Sequence, residues 1–235
     1  MNVRDRIGLS ESNQRLLVRA MEVGLLGMFF IGLDRGNTGI VVNSLVGIAV
    51  TRAPGLLERD YGIPMDAGLT LWITAAVFLH ALGTVGLPAP VVGGLNAVGI
   101  PVTDGSFYKE TWWWDHMTHA LSASVVAAAG YSVARAVDVH SPDVRLPPQF
   151  MFVFILLVTL AFGVFWEVLE FTIGEVAALA GSEGTILTQY GLDDTLLDLV
   201  FDSVGAVVVA VWGTAHLSDV VGALADRLER REDGA

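Results

Sequence analysis

Residues 149–173 read QFMFVFILLVTLAFGVFWEVLEFTI. From Phe150 to Trp166 no side chain carries a charge, and then two carboxylates, Glu167 and Glu170, arrive before the run ends. A helix rises about 1.5 Å per residue, so a run of this length matches the ~30 Å hydrocarbon core of a bilayer. Pro147–Pro148 precede it, a place where a missing N–H does no harm to a helix start. Acids at the negative end of a helix are unfavourable and have no capping role. Ionisable groups inside membrane helices face the bundle interior and mark functional sites. This stretch therefore sets both the fold and the question of function.

Working outward, similar apolar blocks recur. The spacing predicts spans near 17–33, 37–53, 66–87, 114–136, 149–173 and 194–218. The segment 37–53 is short, carries Asn43 and stops at Pro54, so a re-entrant or interfacial segment is its alternative. The chain has 235 residues, 53% of them hydrophobic, with mean hydropathy +0.60. That is too apolar for an ordinary soluble domain and long enough for about six spans. The blocks are continuous rather than alternating, which excludes a membrane β-barrel. The expected fold is an all-α polytopic transmembrane bundle, residues 1–235 forming a single integral-membrane domain. Met1 to Arg19 is polar and charged, so no cleavable signal peptide is expected.

Charge narrows the classes further. The net charge is −12, from 25 acids and 13 bases, of which only Lys109 is a lysine. Nucleic-acid binding needs a basic patch and is excluded. The acidic, arginine-over-lysine balance resembles proteins of salt-loving archaea. There is no cysteine, hence no disulfide or thiolate–metal chemistry. With the N-terminus inside, cytoplasmic segments hold eleven arginines, while only Arg35 and Lys109 fall outside. The positive-inside rule then places both termini in the cytoplasm, and the protein is expected in the cell membrane. The outer loop 88–113 holds Pro88, Pro90 and Pro101 and ends at Trp112–Trp113–Trp114, an expected interfacial anchor. Residues 174–193 contain no base and are expected to cap the bundle. The tail 219–235 begins DVVGALADRLERR and reads as a cytoplasmic amphipathic surface helix.

On this topology the ionisable residues converge. His80 lies roughly 10 Å short of the outer end of its span, and Asp115 opens the next, with His119 about 6 Å deeper. Glu167 and Glu170 close the fifth span, and Asp193, Asp194 and Asp198 open the sixth. Four helices deliver carboxylate or imidazole to the same outer third of the membrane. Asp115 and His119 stand at i,i+4, Glu167 and Glu170 at i,i+3, and Asp194, Asp198 and Asp202 at i,i+4,i+8, so each set shares a helix face. His116 is turned about 100° from Asp115 and stays outside the expected site, as does the deeper Asp202. Facing helices with such offsets can enclose one or two divalent metals. Oxygen and imidazole donors suit Zn, Mn, Fe or Mg. The plainer alternatives are structural: Asp115 and Asp194 as helix caps, and His80 as a helix-contact histidine.

The ordered set His80-Ala-Leu-Gly83, Trp114-Asp115-His116-Met117-Thr118-His119, Trp166-Glu167-Val168-Leu169-Glu170, Thr188-Gln189 and Asp194-Thr195-Leu196-Leu197-Asp198 with Gly205 resembles the YjdF-like family of uncharacterised inner-membrane proteins. The agreement runs from His80 to Gly205, roughly half the chain. The chain departs from that pattern at Thr84-Val85-Gly86, where relatives have a second His–Tyr stretch, and at Tyr190-Gly191, where they have Gly-Asp. Any ligand that relatives supply from those places would be lost or replaced here. The resemblance implies a six-span fold and a site, but no reaction.

Three functions compete. The first is a metal-dependent hydrolase or transferase acting on lipid headgroups or lipid-linked phosphate. His80, Asp115, His119, Glu167 and Asp194 are its candidate metal ligands, and Glu170 and Asp198 its candidate general bases. No Arg/Lys clamp for phosphate is evident, so the metal would carry the charge stabilisation. The second is a proton- or cation-coupled transporter or ion-binding protein, against which stands the lack of an inverted repeat and of a polar path inward. The third is a non-catalytic membrane assembly factor whose acid–His pairs lock the helices. No GxSxG elbow, phosphate loop or HxxxH helix is present.

Overall fold

The computed structural model describes residues 9–86, 89–99, 105–179 and 191–232. Among them, ten α-helices account for most of the residues. They are α1 (Glu11–Asp34), α2 (Thr38–Val50), α3 (Ala53–Tyr61), α4 (Ala67–Gly83), α5 (Ala89–Ala97), α6 (Phe107–Glu110), α7 (Trp114–His140), α8 (Pro148–Leu179), α9 (Leu192–Val208) and α10 (Ser218–Glu232). The only pairing of extended backbone among the described residues is an isolated bridge between Gly86 and Ser106.

Five stretches are long and apolar enough to cross a membrane, namely Glu11–Asp34, Thr38–Tyr61, Trp114–His140, Pro148–Leu179 and Leu192–Gly213, with the shorter apolar Ala67–Gly83 beside them. The multi-pass membrane bundle is thus the fold. The exposed face of α8 carries Phe150, Val153, Leu157, Phe162, Phe165, Val168 and Phe171. An apolar surface of that extent is stable only against lipid or a partner.

The boundaries differ from the expected ones for local reasons. The first helix starts earlier, because Ser10 caps it by accepting from the Asn13 N–H. Pro54 does not end the second segment. The helix breaks at Thr51–Arg52, and Pro54 then occupies the first turn of α3, where its ring is tolerated. The third span is short, ending at Gly83. The last span leaves regular α geometry at Val209, passes through a π turn (Val209–Gly213) and a 3-10 turn (Thr214–His216), and gives way to α10.

Helix α7 is the axis. It packs against α4, α8, α9 and α10, while α1, α2 and α4 form a second group joined to it through α4. Its buried face is built from small residues, Ala123, Ser124, Ala127, Ala128, Ser132, Ala134 and Ala136. Close approach of this kind drives helix association in lipid, where apolar burial alone gives no net force. Gly205 of α9 sits against the backbone oxygen of Ala120, with no room for a Cβ. The main apolar core, Ala127, Ala128, Met151, Ile155, Ala206 and Val209 with Leu217, lies in the α7–α8–α9 group. A second core of Leu25, Met28, Ile40 and Ala81 joins α1, α2 and α4.

The far end of α7 is closed by polar contacts. Asp138 is buried, pairs with Arg135 and accepts the Leu146 N–H at 2.7 Å, which shapes the turn into α8. Helix α10 is amphipathic but packed, burying Val221 and Ala225 and setting Arg227 over the Tyr61 ring at 4.8 Å. Arg4 and Arg6, Pro88 and Pro101, the Thr188-Gln189 pair, Tyr190 and most of the expected cap at 174–193 lie outside the described residues.

Candidate metal centre

The first turns of α7 place Asp115, His116 and His119, the last third of α8 places Glu167 and Glu170, and the first turns of α9 place Asp194, Asp198 and Asp202. Because α7 runs antiparallel to α8 and parallel to α9 in this region, all of these residues meet at one end of the bundle. Within it His119 is the hub. Asp115, His119 and Asp198 form one group and His119, Glu167 and Glu170 another, each with donor atoms within 4.8 Å of one another. The His119 Nε2 atom lies 3.9 Å from Asp115 Oδ1 and 3.9 Å from Asp198 Oδ2, while Nδ1 lies 3.3 Å from Asp202 Oδ1.

The surrounding contacts orient these groups. His116 Nδ1 lies 3.1 Å from Asp198 Oδ1, and its ring stacks on Phe201 with centroids 4.8 Å apart and planes 6° from parallel. The Thr195 hydroxyl donates to Glu167 Oε2 at 2.7 Å. His116, His119, Glu167, Glu170, Asp198 and Asp202 are all buried. So many carboxylates in a low-dielectric site are costly unless matched by protons, by imidazolium or by a bound cation. The donor set is oxygen-rich with one imidazole at its centre, which fits a hard or borderline divalent ion such as Mg, Mn, Fe or Zn. The residues present therefore fit such an ion.

Not every expected residue joins the ring. His80 lies at its edge, with Nδ1 2.9 Å from the Tyr108 hydroxyl and its ring edge-on to Trp166 at 5.7 Å between centroids. Asp194 sits one turn above Asp198, outside both three-residue groups. Asp115 is not the capping residue of α7, since Trp113 holds the cap position and no side chain caps there. The tryptophan triplet divides: Trp112 and Trp113 are exposed. Trp114 instead donates through Nε1 to the Leu79 oxygen at 3.2 Å and stacks on Phe107. Gly83 makes this possible, because a Cβ there would meet the Tyr108 ring at 2.5 Å and Trp114 Nε1 at 2.8 Å.

His116 and Asp202 belong to the network, although His116 is turned away from Asp115 on its helix and Asp202 lies deeper than the expected site. The His116–His119 i,i+3 pair, matched against Asp198–Asp202 at i,i+4, was the available signal. Tyr108 had no signal beyond its polarity, whereas Thr195 stands in the Asp194-Thr195-Leu196-Leu197-Asp198 motif. Below Asp202 the interior turns largely apolar, through Gly205 and Ala206 on α9, Val209 at the start of the π turn, and Ile155 and Met151 on α8, with Ser124 and Thr159 buried among them.

A protein of Thermotoga maritima named "Uncharacterized protein" is 31% identical over 105 residues, covering 45% of this chain and 50% of its own length. This chain thus spans about half the length of that curated relative. No solved structure matches it. The family model described as "Predicted membrane protein (DUF2238)" matches residues 16–219 and is the family that the motifs from His80 to Gly205 resemble. With most of its length covered by that model, the chain belongs to the DUF2238 family of predicted membrane proteins.

Proposed function

We propose that the cluster around His119 is a divalent-cation site of a membrane enzyme, a hydrolase or transferase acting on a lipid headgroup or lipid-linked phosphate at the outer membrane face. The carrying observation is the meeting of Asp115, Asp198, Glu167 and Glu170 on His119 at one end of the bundle. The apolar plug of Ala127, Ala128, Ile155, Ala206 and Val209 beneath it favours a site entered from one side over a conduit. The outward orientation rests on the eleven-to-two bias of basic residues.

The residues divide by what holds them. His119, Asp115 and Glu167 would bind the ion. Asp198 is fixed by His116, an orienting contact of the type that supports a ligand, so we assign it to binding rather than to proton transfer. Glu170 is then the general base. His80 and Asp194 border the site and are assigned to the walls. A divalent ion held there would supply the positive charge that polarises a phosphoryl oxygen and acidifies water, a role no lysine or arginine of the cluster can take.

The test is element-resolved metal analysis of detergent-purified protein, wild type beside Glu167→Gln and His119→Ala. Stoichiometric Zn, Mn, Fe or Mg in the wild type, lost in both variants, is the expected result. A wild type that stays metal-free after supplementation overturns the reading and leaves a proton site or a polar lock between helices.

A further inference from the structure

The contacts of His119 on its second nitrogen carry a more specific inference, which rests on the cation reading above for its consequence but not for its geometry. His119 Nδ1 lies 3.3 Å from Asp202 Oδ1, while Nε2 is the nitrogen turned to Asp115 and Asp198. Asp202 is buried one turn below Asp198, and its other carboxylate oxygen, Oδ2, presses on Gly163 of α8. A Cβ at Gly163 would overlap Oδ2 and would also meet Leu199 at 3.1 Å. One helix supplies the imidazole, a second the carboxylate and a third the space.

We propose that Asp202 is a positioning residue that fixes His119 as its Nδ1–H tautomer, with Gly163 making the room, so that Nε2 is left as the bare donor facing the carboxylate ring. The chemistry is general. An imidazole is a metal ligand through a nitrogen without a proton, and the hydrogen bond made by its other nitrogen decides which one that is. A carboxylate at Asp202 accepts through Oδ1, which places the imidazole proton on Nδ1. Gly163 matters because a larger residue would push Oδ2 away and turn Oδ1 off Nδ1. Neither Asp202 nor Gly163 touches the cation in this assignment; both act through His119. The same logic runs in parallel at His116, whose Nδ1 faces Asp198 Oδ1 and leaves Oδ2 for the ring.

The test combines a spectroscopic signature with affinity. Protein labelled with 15N-histidine in micelles, five histidines in all, is examined by long-range 1H–15N correlation at pH 8. His119 is assigned from the peaks missing in His119→Gln. The expected pattern is a protonated Nδ1 and a bare Nε2, with Nε2 shifting on Zn2+ addition. Asp202→Ala should lose the tautomer preference and bind Zn2+ about 10–100-fold more weakly, the range usual for an orienting partner. Asp202→Asn retains an acceptor oxygen and should keep the pattern and most of the affinity. Gly163→Ala should weaken Zn2+ binding without removing any ionisable group, and should add nothing on the Asp202→Ala background.

A wild-type His119 protonated on Nε2, or on both nitrogens as an imidazolium, overturns the proposal. So does unchanged Zn2+ affinity in Asp202→Ala. A wild type with the Nδ1–H pattern that takes up no Zn2+ supports the tautomer and overturns the cation reading, which keeps the two apart.

Discussion

His116 makes two contacts that substitution can separate. Its ring stacks on Phe201, and its Nδ1 faces Asp198. Replacing it with phenylalanine keeps a planar ring on Phe201 and removes the nitrogen. The expected cost in stability is about 1–3 kcal/mol, because the buried Asp198 oxygen loses its imidazole partner, while divalent-metal affinity should fall at least ~10-fold because Asp198 loses its orienting partner. Thermal melting and Zn2+ titration of His116→Phe beside wild type measure both; a large loss of stability with unchanged affinity would make His116 a structural residue. At this scale the sequence was partly legible. Asp115, His119, Glu167, Glu170 and Asp198 share helix faces by spacing alone, and they do meet. His116 was set aside because it points elsewhere on α7, an inference that holds only for a helix with one buried side. Helix α7 has neighbours on several sides, so two of its faces carry buried polar groups. His80 is the converse case, since its partner is Tyr108 of the short helix α6, whose position hydropathy does not encode.

At the scale of elements, the packing of α7 on α9 depends on Gly205. A Cβ there would collide with the Ala120 carbonyl oxygen, and backbone cannot yield as a flexible side chain can. Gly205→Ala should therefore destabilise the bundle by about 1–3 kcal/mol, the usual range for overpacking. Gly222 of α10 makes the control, because nothing lies within 4 Å of a Cβ placed on it. There alanine should be neutral or stabilise by about 0.5–1 kcal/mol through helix propensity. Comparing the two melting temperatures in the same detergent decides the matter, and equal shifts would refute the close-approach argument. Helix existence was legible from apolar run length, which is why all six predicted segments correspond to helices. Their ends were not, since Pro54 ends a helix or begins one depending on where the preceding turn breaks. The packing of α10 was equally hidden, because an amphipathic stripe reads the same whether it covers lipid headgroups or, as here, the side of α7 with Val221 and Ala225 buried.

For the whole molecule, the geometry fixes which groups share an end but leaves the sidedness to the charge bias. Helix α7 begins at the cluster and runs 27 residues to His140, about 40 Å at 1.5 Å per residue. Lys109, before it, and Asp143, after it, therefore emerge on opposite faces of the membrane, and both are exposed. The chain lacks cysteine, so each position can be converted alone without altering any other thiol. In intact cells, a membrane-impermeant maleimide should label Lys109→Cys directly and Asp143→Cys only after lysis. Eleven basic residues against two predict this sense, because translocating arginine across the membrane is disfavoured. The opposite labelling would put the Asp115–His119–Glu167 cluster at the cytoplasmic face. Its substrate would then come from the inner leaflet or the cytosol, and the enzyme reading would survive with its side reversed. Labelling of both positions without lysis would mean that α7 does not cross the bilayer, and would remove the shared membrane depth on which the site was first inferred.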